Sequence, residues 1–258
     1  MTTVYTLAWV TFREALRRKL AVNLLVFALA LVAASIVLSS LTFGEQYRII
    51  VDIALTAMEV FGTLIAAFLG AALVAGDVER RTVYAIVAKP VSRAQYVLGR
   101  YAGLVLTTTL NLAVMAVVFA GVLALYLRGA GFIWETPFLA TVAAIGLQFA
   151  MIAAVAVFFS TFTSATLSAI FTLSLVAAGH LASDLIRYWS KQGSVFGWMG
   201  KAVYVLVPNL EALNLKEAMV YKDALAAGPL AASFAYGALY SVGVAALAAA
   251  IFTRRDLR

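Results

Sequence analysis

The sequence contains no cysteine, one histidine and few charged residues, which make up 12% of its 258 positions. Without cysteine there are no disulfides, thiolate metal sites or cysteine nucleophile. A soluble domain carries about 25% charged and about 45–50% apolar residues. The 64% hydrophobic content and the mean hydropathy of +1.00 therefore exclude a soluble enzyme, a disordered chain and a collagen-like fibre. The composition is typical of a polytopic membrane protein.

Six apolar segments reach the length of about 20 residues that a transmembrane helix needs. They lack the polar–apolar alternation of barrel strands, so helices are predicted. The segments are 21–43, 53–75, 102–127, 138–159, 165–186 and 230–252. The predicted fold class is an all-α polytopic membrane protein with six transmembrane helices. The first segment is expected to stay as an anchor rather than to be cleaved as a signal peptide.

The 19 basic residues are unevenly divided between the two sides of the predicted bundle. Twelve lie in the N-terminal region, in the connection 76–100 and at the C-terminus, whereas seven lie on the other side. By the positive-inside rule both termini are cytoplasmic, in the inner membrane of a prokaryote. The net charge of +7 then reflects topology, and no nucleic-acid partner is expected.

Residues 1–20 predict a helix that lies in the inner headgroup plane. One face is formed by Tyr5, Trp9, Phe12 and Leu16, and Arg13, Arg17 and Arg18 lie away from it. An aromatic face opposite basic residues is typical of an interfacial helix. Two interpretations remain open, a membrane anchor alone or a helix that also packs against a cytoplasmic partner.

The connection 76–100 predicts a short cytoplasmic helix held between two spans. Asp77 can cap this helix, and Pro90 should end it. Ser92 and Gln95 form a capping box for a second helix that runs into the third span. The alternative is a solvated charged hairpin.

The long outer connection, 187–229, is only partly polar. Pro208 and Asn209 interrupt an apolar run, a solvated helix is predicted after them, and Gly228 with Pro229 ends the connection. The pattern indicates a small extracellular cap made of a partly re-entrant segment and an amphipathic helix.

Glu59, Asn111 and Gln148 fall inside predicted spans, where buried polar groups are costly. Residues 60–75 alone would reach about 24 Å, short of a hydrocarbon core of about 30 Å, so Glu59 is expected just inside the outer boundary. Glu59 is either a headgroup-level carboxylate or a substrate or gate residue. Asn111 and Gln148 either form interhelical hydrogen bonds or line a translocation path.

His180 and Asp184 are four residues apart at the outer end of the fifth span and predict a polar pair at the interface. One histidine without cysteine makes a poor metal or haem site. Gly99 and Gly103 form a GxxxG pattern that permits close helix packing at the cytoplasmic mouth of the third span.

The order of these features resembles type-2 ATP-binding-cassette (ABC) transporter permeases over nearly the whole chain. After the second span, that family has an acid-rich turn, Gly-Thr, an apolar helix, Pro-x-Ser-Arg and Leu-Gly-Lys. The matching residues are Asp77, Glu79, Thr82, Pro90, Ser92, Arg93, Leu98 and Gly99. Arg81 stands where glycine is usual, and Arg100 replaces the lysine. The outer segment 207–214 also resembles the family's segment before the last span.

The resemblance implies the dimeric membrane domain of an exporter, with two cytoplasmic ATPase subunits and a second permease copy or paralogue. The implied coupling residues are Asp77, Val78, Glu79, Arg80, Arg81, Thr82, Val83 and Ile86. The implied elbow-helix residues are Trp9, Phe12, Arg13 and Arg17. An extracytoplasmic accessory protein is compatible with this layout.

No phosphate-binding Gly-x-x-x-x-Gly-Lys-[Ser/Thr] loop occurs in the sequence. The chain is therefore predicted to be non-catalytic and to bind no cofactor or metal, and ATP and Mg²⁺ belong to the partner ATPase. Replacing Asp77 and Glu79 by lysine is expected to uncouple or detach that ATPase.

Three other interpretations are considered. A secondary transporter or channel would show a repeat and a midplane ion site, and neither is found. An intramembrane serine protease would need a Gly-x-Ser nucleophile with a base inside the spans. A mechanical or regulatory ABC complex would have no small substrate.

Overall fold

The computed structural model describes residues 2–40, 45–79, 91–127, 129, 136–189, 207–221 and 225–254. The secondary structure of this part of the chain consists of helices. Their bounds are α1 Thr2–Leu16, α2 Lys19–Ser40, α3 Gln46–Glu79, α4 Arg93–Leu127, α5 Thr136–Ser160, α6 Ala165–Trp189, a 3₁₀ turn Glu211–Leu213, α7 Lys216–Tyr221 and α8 Ala227–Arg254.

Five of these helices are long and apolar enough to cross a membrane, which confirms an all-helical membrane fold. Their apolar stretches are Ala21–Ser40, Gln46–Asp77, Arg93–Leu127, Pro137–Ser160 and Ala227–Arg254. The corresponding stretch of α6, Ala165–Leu181, is shorter. The sixth transmembrane helix thus stays a prediction.

Two helices extend well beyond the apolar segments that predicted them. Helix α3 begins at Gln46 rather than at residue 53, and the hydroxyl of Tyr47 donates to the carbonyl of Met219 at 3.3 Å. The apolar run marks only the part that suits lipid, whereas the helix continues where α7 packs beside it. Helix α4 begins at Arg93 rather than at residue 102.

The start of α4 confirms the predicted capping box. The backbone N–H of Gln95 donates to Ser92 Oγ, and the backbone N–H of Ser92 donates to Gln95 Oε1, each at 3.2 Å. These bonds satisfy backbone donors that a helix start leaves without intrahelical partners. Helix α4 therefore begins several residues ahead of the apolar segment 102–127.

Helix α3 lies at the centre of the bundle and packs against α2, α4, α5 and α6. Met58, Ile65 and Val74 on it are fully buried. Two acidic residues of α3, Glu59 and Asp77, have largely buried side chains. Each forms part of a charged cluster. The cluster of Asp77 lies towards the end that was predicted to be cytoplasmic and is called the inner cluster, and the cluster of Glu59 is called the outer cluster.

The predicted coupling helix falls mostly outside the described residues. Its residues Arg80, Arg81, Thr82, Val83 and Ile86 lie in the stretch 80–90, between the described parts of the chain. Val78 and Glu79 are the last two residues of α3. Helix α3 thus continues two residues beyond Asp77, where an N-cap was predicted.

Candidate functional site

The inner cluster is centred on Arg100, which is 5% exposed in the second turn of α4. Its Nη1 donates to Glu14 Oε2 at 2.8 Å and to Thr11 Oγ1 at 3.2 Å, both on α1. Its Nη2 donates to the carboxylate of Asp77 on α3. One guanidinium therefore connects three helices.

Tyr96 completes this cluster one turn before Arg100. Its hydroxyl donates to the carboxylate of Asp77, and its ring lies 5.6 Å from the Arg100 guanidinium carbon. The same ring stacks on Phe252 of α8, with the ring centroids 5.7 Å apart. The start of α4 is thereby fixed to the end of α3 and to the last helix.

Two glycines of α4 let the backbone of α1 lie directly against it. A Cβ added at Gly103 would lie 2.5 Å from the carbonyl oxygen of Ala8 and from the Cβ of Thr11. A Cβ added at Gly99 would lie 2.6 Å from the Cβ of Leu7. The GxxxG pattern therefore serves the docking of α1, a partner that the sequence did not identify.

Glu14 connects the cluster to the chain just after α1. Arg18 contacts its other carboxylate oxygen, Oε1, at 2.6 Å. Burial alone would raise the pKa of Glu14, but hydrogen bonds from Arg100 and Arg18 outweigh it and hold this pKa below its usual value. Glu14 is therefore charged at neutral pH, and the two arginines balance the charges of Glu14 and Asp77.

The aromatic face of α1 points away from α4. Trp9 is exposed and stacks on the half-buried Phe12, with ring centroids 5.4 Å apart. The Arg13 guanidinium lies 5.1 Å from the Trp9 ring centroid, so Arg13 covers the aromatic face rather than lying away from it as predicted. Arg17, just after α1, is exposed. The face that packs on α4 includes Leu7, Ala8 and Thr11 and was not predicted from the sequence.

The outer cluster is centred on Glu59, which is 5% exposed. Lys216, the first residue of α7, contacts its Oε2. His180 of α6 lies between two carboxylates, with its Nε2 3.7 Å from Glu59 Oε1 and its Nδ1 3.9 Å from Glu211 Oε2. The structure thus gives His180 two partners that the sequence did not predict.

Glu59 lies within the first half of α3. It lies thirteen residues after Gln46, which is about 20 Å along α3. Its countercharge comes from the outer segment 207–221, which packs among the helices. The predicted partner of His180, Asp184, belongs to the part of α6 whose side chains are not described.

The outer segment is held by side chains of α5 and α8 and by a close backbone approach of α6. Gln148 of α5, which is 2% exposed, donates through Nε2 to the carbonyl of Leu210 at 3.0 Å. The backbone N–H of Asn209 donates to the hydroxyl of Tyr236 at 2.9 Å. On α6, a Cβ at Gly179 would lie 2.5 Å from the carbonyl oxygen of Pro208. The Pro-Asn stretch is thus buried between α5, α6 and α8.

Comparison with known protein families identifies the family of this helical protein with its two charged clusters. The model of the family described as ABC-2 family transporter protein matches residues 5–257. The chain belongs to the ABC-2 family. No curated protein matches it. Because the match covers nearly the whole chain, this is the permease subunit of an ABC-2 transporter, a non-catalytic multi-pass membrane protein. The interpretations as a secondary transporter, a channel or a protease are therefore discarded.

The three residues predicted to line a translocation path have different surroundings in the ABC-2 subunit. Gln148 forms a hydrogen bond to the outer segment, and Glu59 forms the outer charge cluster. Asn111 of α4 is 6% exposed, and its Nδ2 has no hydrogen-bond partner among the described residues. In the same part of the chain, no group of three His, Cys, Asp or Glu side chains is placed to hold a metal ion.

Proposed function

We propose that this ABC-2 subunit forms an export path together with a second permease copy or a paralogue, driven by two cytoplasmic ATPase subunits. The ATPases dock on the connection 80–90 and alongside α1. The inner cluster supports this proposal, because Asp77 and Arg100, which flank that connection, are held together by a direct ion pair. A connection with a fixed base can transmit force, whereas a loosely tethered loop would absorb it.

The charge distribution supports a cytoplasmic position for this connection. Twelve basic residues lie on the side of the inner cluster and seven lie on the other side. Both termini are then cytoplasmic, as in a prokaryotic inner membrane. The ATPase, which carries ATP and Mg²⁺, then binds the chain on its cytoplasmic side.

The outer cluster is proposed to close the opposite end of the path. Glu59 holds Lys216 of the outer segment, while Gln148 holds Leu210 in the same segment. In this proposal Glu59 is a gate residue and Gln148 anchors the gate, rather than both contacting substrate. A carboxylate buried this deeply needs its countercharge, so the gate opens only when that pair separates.

The proposal predicts that a neighbouring gene encodes a P-loop ATPase, and it is tested by co-purifying that gene product with this chain. The double variant Val83→Glu and Ile86→Glu places charges on the predicted apolar face of the coupling helix. We expect membrane insertion to persist and ATPase recovery to fall at least tenfold. Tyr221→Glu, at an exposed position on α7, is the matched control and should retain the ATPase. Undiminished recovery with the double variant, or transport by the chain without nucleotide hydrolysis, would contradict the proposal.

A further inference from the structure

Asp77 occupies a position from which sequence reasoning expected it to contact the ATPase. In the structure its carboxylate accepts hydrogen bonds from Tyr96 and Arg100 of the same chain, and its side chain is 14% exposed. Both donors lie on α4, beyond the connection 80–90. Asp77 therefore closes the base of that connection from within the chain.

Arg100 adds the elbow helix to this closure through a second nitrogen. Nη2 serves Asp77, while Nη1 serves Glu14 and Thr11 of α1. A guanidinium can hold two partners at fixed directions because its donors form a rigid planar fork, whereas a lysine ammonium is a compact point charge on a flexible stem. Arginine in place of the lysine usual in the family thus suits a three-helix joint.

The helix that carries Arg100 is continuous from Arg93 to Leu127. From Arg100 onward it extends for about 40 Å at 1.5 Å per residue. Displacement of the start of α4 is therefore carried along the bundle by a single rigid element. At the same point, Gly99 and Gly103 leave no space between α4 and α1.

We propose that Arg100 is a positioning residue for coupling, which makes the base of the 80–90 connection and the elbow helix move as one body. Asp77 acts inside the chain as the partner of Arg100 and does not bind the ATPase. This inference rests on the proposed function, since it concerns how motion of the docked ATPase reaches the spans.

The test measures coupling separately from ATPase binding and from protein yield. The chain has no cysteine, so one cysteine at the exposed Tyr221 reports the state of the outer end by its maleimide labelling rate. The measured quantity is the change in this rate on adding MgATP, relative to the ATP hydrolysis rate of the same complex. A loss of folded complex lowers the MgATP-dependent change in labelling and the ATP hydrolysis rate together, and so leaves their ratio unchanged.

The variants are Arg100→Lys, Asp77→Asn and their double variant, each carrying the reporter cysteine. We expect the ATPase to remain bound in all three and the coupling ratio to fall about tenfold, which corresponds to about 1.4 kcal/mol. The double variant should show no greater loss than the larger of the two single losses, because both changes disrupt the same three-helix joint. Asp77→Glu, which keeps the charge, should restore most of the ratio. Arg254→Lys, at the exposed last residue of α8, is the matched control and should keep the parent ratio.

Two outcomes would overturn the inference. The first is detachment of the ATPase by Asp77→Asn with no effect of Arg100→Lys, as expected for a direct ATPase contact. The second is an unchanged coupling ratio in both single variants. If the parent complex itself shows no nucleotide-dependent labelling change, the proposed function fails, and the inference fails with it.

Discussion

Replacing Lys216 by methionine removes the main countercharge of Glu59 without removing the aliphatic stem. The Glu59 side chain is 7% exposed, and breaking such a buried pair by removing one partner costs about 3–5 kcal/mol. Because the Lys216 side chain is 21% exposed and the pair is therefore not completely desolvated, we expect the lower value, about 3 kcal/mol. At about 2–4 °C per kcal/mol for a chain of this size, the unfolding midpoint falls by about 6–12 °C.

The assay follows tryptophan fluorescence during heating of the purified protein in nanodiscs at pH 7. The double variant Glu59→Gln with Lys216→Met removes both charges and should recover most of the lost midpoint. Lys19→Met, at an exposed position at the start of α2, is the control and should stay close to the parent. A Lys216→Met midpoint within 2 °C of the parent, at the ~0.5 kcal/mol scale of surface substitutions, would refute the reasoning. So would a double variant that unfolds as early as the single one.

Two further predictions concern the docking of α1. Gly103→Val should displace α1, because no side chain fits between the helices, and should raise the maleimide labelling of a cysteine at the buried Ala15. Gly121→Val is the control and should leave this labelling unchanged, because a Cβ at Gly121 would meet no atom within 4 Å. Acidification should weaken the same docking. Because the pKa of Glu14 is lowered in the folded state, its ionised carboxylate stabilises that state above about pH 4.3, and this contribution is lost as the pH falls through the lowered value. Hydrogen exchange of α1, corrected for the intrinsic rate, should increase over this range in the parent and not in Glu14→Gln. Equal protection in both at every pH would show that Glu14 does not hold the helix.

Local patterns accounted for much of the helical framework. Apolar runs of spanning length indicated helices because lipid leaves the backbone no other partners. Ser92 and Gln95 predicted the start of α4 because a capping box involves residues only three positions apart. The start of α3 was missed because the residues from Gln46 onward are stabilised by α7 rather than by lipid.

The two charged clusters were beyond the reach of the sequence. Arg100 and Glu14 are 86 positions apart, and no periodicity relates residues on separate helices. Glu59 stood out as costly in a membrane, but its partner Lys216 was assigned to a solvated helix. Gly99 and Gly103 carried a usable signal, since their spacing indicated close packing without naming the helix that approaches.

The docking surface of α1 is made well after α1 itself. Helix α1 ends at Leu16, but the grooved side of α4 that receives it, at Gly99 and Gly103, leaves the ribosome more than 80 residues afterwards. Until then, α1 can bind the bilayer surface through the exposed ring of Trp9 and its neighbours. Docking of α1 therefore waits until the third hydrophobic segment begins to leave the ribosome, and the stacking of Tyr96 on Phe252 waits for the last helix.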